Sequence, residues 1–106
     1  MTSFQDRKNA FENKYANDQE MLFRLESRAS KLFGLWAAEQ MGLSGSEADA
    51  MAAQTVAANL EEAGLEDIKR KVRADFTAKG ITVADSAIES AITAAQDEAR
   101  RQLLGE

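Results

Sequence analysis

Carboxylates are the main side chains that could do chemistry in this 106-residue chain, because it contains neither histidine nor cysteine. Their absence removes thiol nucleophiles, disulfides, most zinc sites and the usual proton shuttle near neutral pH. The adjacent pairs Glu61 and Glu62, and Glu66 and Asp67, flank one predicted loop, which is typical of solvated helix ends rather than of a cleft. A metal site inside a helical bundle commonly adds histidine to glutamate. We therefore predict that the protein is not an enzyme and has no metal site.

The most basic run, from Lys69 to Arg73, could hold a phosphate group or an acidic partner. Glu66, Asp67 and Asp75 lie within one helical turn of this run, and charges at that spacing neutralise it. The sequence therefore favours a solvated helix face here. The net charge of −5 also argues against nucleic-acid binding, which requires a basic surface.

Trp36 could stack on a ligand, but its position beside Leu32 and Phe33 on an apolar stripe is typical of a core residue. Gly34, in the same stretch, costs about 1 kcal/mol in a helix relative to alanine. That cost indicates close approach by another helix, or a bend. We interpret both residues as packing devices rather than as parts of a ligand site.

Four amphipathic segments would have to position these residues. The chain has no proline, and no stretch alternates with the two-residue period of a strand. The predicted helices cover about residues 4–41, 46–63, 65–79 and 83–104. Their connections are short, which predicts an all-α four-helix bundle with neighbouring helices roughly antiparallel. The predicted inward residues are Leu22, Leu25, Ala29, Leu32 and Trp36 on the first helix, Ala48, Met51, Ala52, Thr55, Val56 and Leu60 on the second, and Leu65, Ile68, Val72 and Phe76 on the third.

Turn and cap residues mark the ends of these segments. Ser44 with Glu47, and Thr82 with Asp85, have the spacing of capping boxes at helix N-termini. Gly64 is predicted to close the second helix, since glycine adopts the left-handed conformation found there.

The first segment changes in apolar content near residue 18. Residues 21–36 are rich in large apolar side chains, whereas residues 1–17 offer only Phe4, Phe11 and Tyr15 as anchors. Burial of each aromatic would contribute roughly 1.5–3 kcal/mol, but ordering the backbone costs roughly 1–2 kcal/mol per residue. We therefore predict a flexible or marginally helical arm that becomes helical when it binds a partner. The alternative is an ordinary disordered tail.

A break is predicted near Asn17 and Asp18, because Asn17 with Glu20 fits a capping box and asparagine lowers helix propensity. One uninterrupted helix is the alternative. The predicted organisation is an N-terminal arm of residues 1–17 and a four-helix bundle of residues 18–106.

Three stretches of the sequence resemble stretches of a known protein family. They are residues 4–16 (FQDRKNAFENKYA), 31–39 (KLFGLWAAE) and 61–72 (EEAGLEDIKRKV). In this order they resemble the N-terminus, the core motif and the loop into the third helix of the zeta subunit of alphaproteobacterial F1-ATPase. The last helix is similar only in pattern. Ala29–Ser30 and Asn59–Leu60 depart from the family, which has a more basic pair and Asp-Phe there.

The resemblance implies an anchoring bundle that inhibits ATP hydrolysis through its N-terminal region. That region would enter the interface between the alpha and beta subunits, meet the gamma shaft and block rotation. The protein would be monomeric when free, and cytoplasmic and peripheral to the inner membrane through the ATP synthase. The partner-binding residues carried over by the resemblance are Phe4, Asp6, Arg7, Lys8, Phe11, Glu12, Lys14 and Tyr15.

No cofactor is required on this interpretation. Weak adenine-nucleotide binding is compatible with the family, but no glycine-rich phosphate loop locates a site in this sequence. No apolar run is long enough to insert into a membrane. The alternative function is a non-catalytic helical adaptor or scaffold, which would bind its partner through the bundle and would not need the arm.

Overall fold

The computed structural model describes residues 19–62 and 64–105, and all regular secondary structure in these ranges is helical. The bounds of the last three helices differ from the predicted ones by at most two residues, so the all-α four-helix prediction is confirmed. The predicted arm and the predicted break lie outside the described residues. The helices are α1 (Gln19–Gln40), α2 (Ser46–Glu61), α3 (Leu65–Lys79) and α4 (Asp85–Leu104).

Helix α1 is the central element, since it packs extensively on α2 and α4 and also reaches α3. The short connection of residues 41–45 and the contact of Gly34 with Ala52 make α1 and α2 antiparallel. Helices α3 and α4 are also antiparallel. Two ion pairs link them, Lys69–Glu89 and Arg73–Asp85.

Phe33 of α1 is fully buried and belongs to one core cluster with Ile68 and Val72 of α3 and Ile88 of α4. The Trp36 ring stacks on Phe33 at 5.6 Å between centroids. It also meets the ring of Phe76 edge-on at 5.8 Å. The interpretation of Trp36 as a packing residue is therefore confirmed.

The buried face of α1 is rotated from the predicted stripe. Leu22, at the start of that stripe, is exposed, and Leu32 and Trp36 are only partly buried. The buried face of α1 consists mainly of small side chains. Because these allow α2 to approach closely, α2 covers this side of α1. The buried residues of α1 are Ala29, Ser30, Phe33, Gly34, Ala37 and Ala38.

The inward face of α2 also differs at its end. Leu60, predicted to point inward, is exposed, and the neighbouring Asn59 is buried. The Oδ1 atom of Asn59 accepts a hydrogen bond of 3.3 Å from the backbone N–H of Gly64. A polar side chain is therefore buried here because it satisfies the backbone of the connection to α3.

The predicted caps were wrong at three helix ends. Gly45 and Ala84 are the N-cap residues of α2 and α4, and neither makes a side-chain capping bond. Both helices begin one or two residues too late for Ser44 or Thr82 to act as the cap. Gly64 has φ 134° and ψ 145° and precedes α3, so it does not close α2 in the left-handed conformation.

Candidate partner-binding surface

The eight residues predicted to bind a partner all lie outside the described residues, so the structure tests neither their conformation nor their proximity. The described chain begins at Gln19, the first residue of α1. The surface next to that residue is therefore the part of the bundle nearest to the predicted arm. The eight residues are Phe4, Asp6, Arg7, Lys8, Phe11, Glu12, Lys14 and Tyr15.

The first turns of α1 present large apolar side chains to solvent. Leu22 is 43% exposed and Phe23 is 52% exposed. Successive residues on a helix point about 100° apart, so both cannot face the same core. The sequence analysis placed Leu22 on the inward stripe and did not place Phe23, although two adjacent large residues were the signal that one of them would remain exposed. The same turns carry an exposed ion pair of 2.9 Å between Glu20 and Arg24.

An open groove of about 390 Å³ adjoins Leu22 and runs between α1, the start of α3 and α4. Leu25, Ala29 and Leu65 supply its apolar lining. Arg100 lies on the α4 side and pairs with Asp97 at 3.2 Å. The apolar surface at the root of α1 therefore continues into a concave site.

Charges of both signs lie at this end of the bundle. Glu26 and Arg100 both line the groove. Glu61 and Glu62, at the end of α2, line a separate open surface with Arg70. The apolar lining of the groove is therefore accompanied by one acidic and one basic side chain.

Helix α1 packs closely on α2 farther along the bundle, toward the C-terminal half of α1. A Cβ atom on Gly34 would lie 2.7 Å from Thr55 Oγ1 and 2.8 Å from Ala52 Cα. The prediction that Gly34 permits close helix approach is therefore confirmed. Thr55 itself is buried and donates its hydroxyl to the Met51 carbonyl at 2.8 Å.

Lys69 corrects the prediction of a solvated basic face. Its side chain is 7% exposed, and its Nζ lies 2.7 Å from Glu66 Oε1 and 2.8 Å from Glu89 Oε1. The hydrogen bonds to these carboxylates raise the pKa of Lys69. The hydrogen bond from Lys69, followed by its positive charge, lowers the pKa of Glu66. Lys69 is buried because it follows the core residue Ile68 and faces α4. Its place next to a core residue could have indicated this burial, but the surrounding charged residues suggested a solvated face instead.

The rest of the basic run is used within the bundle. Each member pairs with a carboxylate of α3 or α4, which leaves the run poorly suited to hold an external phosphate. The pairs are Arg70–Asp67, Lys71–Asp75 and Arg73–Asp85.

Residues 19–62 and 64–105 contain no group of three or more acidic side chains placed to hold a metal ion. Within the same ranges, no helix combines the length and the apolar character needed to cross a bilayer.

Comparison with known proteins bears on the chain as a whole. A family model described as ATPase inhibitor subunit zeta matches residues 1–102. The match includes the predicted arm and runs into α4, and it agrees with the resemblance seen in the sequence. A search of curated proteins finds no matching sequence. The chain belongs to the family of ATPase inhibitor zeta subunits.

Proposed function

We propose that this chain inhibits ATP hydrolysis by a bacterial F1FO-ATP synthase by inserting residues 1–17 between the alpha and beta subunits and against gamma. Family membership gives the chain an inhibitory role toward an ATPase. The observation that carries the proposal is that the family match begins at residue 1, while the described helices form a buried core among themselves. Residues 1–17 are thus part of the family pattern and precede the helices that share this core.

The arm has the composition of a segment that binds in a mixed groove. Phe4, Phe11 and Tyr15 supply apolar anchors, and the charged side chains between them balance in sign. Such an arm is not repelled by a protein interface that carries both charges. The proposed polar contacts are Asp6, Arg7, Lys8, Glu12 and Lys14.

The proposed mechanism is mechanical. Seventeen helical residues would be roughly 26 Å long, which is enough to reach deep into a subunit interface. A helix inserted there would prevent the catalytic interface from closing and would stop the shaft. The bundle of residues 18–106 would anchor the arm and raise its local concentration at the interface. The chain itself would need no catalytic residue and no cofactor, and it would reside in the cytoplasm, at the membrane only through the synthase.

The test is ATP hydrolysis by purified F1 from the same source, titrated with the full chain, with a chain lacking residues 1–17, and with the triple variant Phe4→Ala/Phe11→Ala/Tyr15→Ala. The matched control is Thr2→Ala/Ser3→Ala/Gln5→Ala, which makes three changes in the same arm but leaves the anchors intact. The full chain and the control should inhibit, while the truncated and triple variants should not.

Two other outcomes would decide against the proposal. Equal inhibition by the full and truncated chains would exclude the role of the arm. Stable binding to F1 without any effect on hydrolysis would instead favour the adaptor or scaffold alternative.

A further inference from the structure

We infer that the apolar surface at the root of α1, formed by Leu22, Phe23, Leu25 and Leu65, is a second contact with the ATPase. It would receive an apolar segment of the enzyme that carries charges of both signs, beside the entrance of the site that holds the arm. This inference rests on the proposed function, because the arm is what brings the enzyme to this end of the bundle.

Exposure is the first argument. Among the described residues, Leu22, Phe23 and Leu60 are the large hydrophobic side chains that remain exposed. Two of the three are adjacent on α1, and one of these two also lines the groove that Leu25 and Leu65 continue. Contiguous exposed apolar surface of this kind marks interaction sites, whereas a single exposed residue such as Leu60 does not.

Position identifies the occupant. Leu22 follows the first residue of α1 by three positions, a rise of roughly 5 Å along the helix. The proposed arm, residues 1–17, lies just before Gln19 in the sequence, so an enzyme that holds the arm would lie close to Leu22 and Phe23. A contact tethered in this way is formed at high effective concentration. The enzyme that binds the arm is therefore the best-placed partner for this surface.

Charge narrows the chemistry of that partner. Glu26 and Arg100 both line the groove, so it offers one charge of each sign beside its apolar surface. An apolar segment that carries charges of both signs would complement these features, and such complementarity accelerates association.

The experiment compares the full chain with Leu22→Gln/Phe23→Gln, since both side chains are exposed enough for the change to leave the fold intact. Leu60→Gln is the matched control, because it makes the same substitution at an equally exposed position that does not line the groove. Circular dichroism and unfolding curves verify that all three fold. The concentration for half-maximal inhibition of F1 should rise roughly tenfold for the double variant and stay unchanged for the control.

A direct binding measurement separates this inference from the proposed function. A chain lacking residues 1–17 should still bind immobilised F1 weakly and saturably, and the double variant in that background should not bind. If the double variant inhibits like the parent while arm deletion abolishes inhibition, the second contact is excluded and the proposed function stands. If arm deletion leaves inhibition intact, the proposed function fails instead.

Two other occupants of the surface are tested in the free chain. Sedimentation that shows a dimer in the parent and a monomer in the double variant would assign the surface to a second copy and overturn the inference. Hydrogen exchange at residues 22–29 that speeds up when the arm is deleted would assign it to the chain's own arm, which would also overturn the inference. A monomer with unchanged exchange supports the enzyme as the occupant.

Discussion

The Nζ atom of Lys69 lies 2.8 Å from Oε1 of Glu89, and this ion pair joins α3 to α4. The lysine side chain is 7% exposed, whereas the glutamate is 54% exposed. Arg73 adds a second pair with Asp85 at 3.2 Å. These ion pairs add to the apolar core that α3 and α4 share.

Replacing Lys69 by methionine should lower the free energy of unfolding by about 0.5–1 kcal/mol. Methionine keeps most of the apolar stem, so the loss reports the charge, and the solvent exposure of Glu89 keeps the effect small. Urea denaturation of Lys69→Met, Glu89→Gln and the double variant gives the coupling between the two side chains. A coupling near zero would contradict the role given to this pair. Lys79→Met, at an exposed position on the same helix, is the control and should change stability by less than about 0.5 kcal/mol.

Acid stability should depend on Glu66. The hydrogen bond from Lys69 holds the pKa of Glu66 below its ordinary value of 4.5. The stabilising contribution of Glu66 is therefore complete above pH 4.5 and is lost as the pH falls through the lowered pKa. Glu66→Gln should remove this contribution and make the decline in thermal stability with acid less steep than in the parent. Glu39→Gln, an exposed change on α1, should leave the parent slope unaltered, and equal slopes for all three proteins would contradict the prediction.

At high pH the stability of the folded chain should depend on Lys69 of the same cluster. Hydrogen bonds to Glu66 and Glu89 raise the pKa of Lys69 above 10.5. Its contribution is therefore complete below pH 10.5 and is lost as the pH rises through the raised pKa. Unfolding curves of the parent and of Lys69→Met should converge as the pH rises through that range, and a constant difference between them would contradict this assignment.

Gly34→Ala should destabilise the bundle by about 1–3 kcal/mol, although alanine favours helix by about 1 kcal/mol. The new Cβ would lie 2.8 Å from Ala52 Cα, a backbone atom that moves only if α2 moves. Ser90→Ala is the control, because it improves helix propensity at an exposed position of α4 and should be neutral or slightly stabilising. Thermal unfolding of both variants is the measurement, and a Gly34→Ala protein as stable as the parent would contradict the packing argument.

The sequence predicted the helices well because the helical pattern depends only on residues three or four positions apart in the chain. The bounds of α3 were correct, and Ile68, Val72 and Phe76 were correctly placed inward because they recur at four-residue spacing. Gly34 was correctly interpreted because its conformational cost demands a compensating contact, and the structure supplies one in Ala52 and Thr55.

The predictions that failed depended on contacts between helices. Leu22 and Leu60 were assigned to the core because they are large and apolar. They are exposed because small residues elsewhere on α1 and α2 determine which sides of the two helices face each other. Lys69 was assigned to solvent by its charge, because the two carboxylates that accept its hydrogen bonds could not be placed without knowing how α3 meets α4. The exposed surface that borders the groove was not predicted for the same reason, because it also depends on how the helices meet.

Deleting residues 1–17 should leave the free energy of unfolding of the bundle within about 0.5 kcal/mol of the full chain. The core cluster around Phe33, Ile68, Val72 and Ile88 is drawn from α1, α3 and α4, and each of these four side chains is at most 1% exposed in the folded chain.

Urea denaturation of the full and truncated chains, followed by circular dichroism, measures the difference. Gly34→Ala in the truncated chain should be as destabilising as in the full chain, because Gly34 contacts α2 and lies far along α1 from the deleted residues. This variant also verifies that the measurement resolves a real loss of packing. A truncated chain less stable by more than about 1 kcal/mol would mean that the arm packs on the bundle. The division into an inhibitory arm and an independently folded anchor would then be wrong.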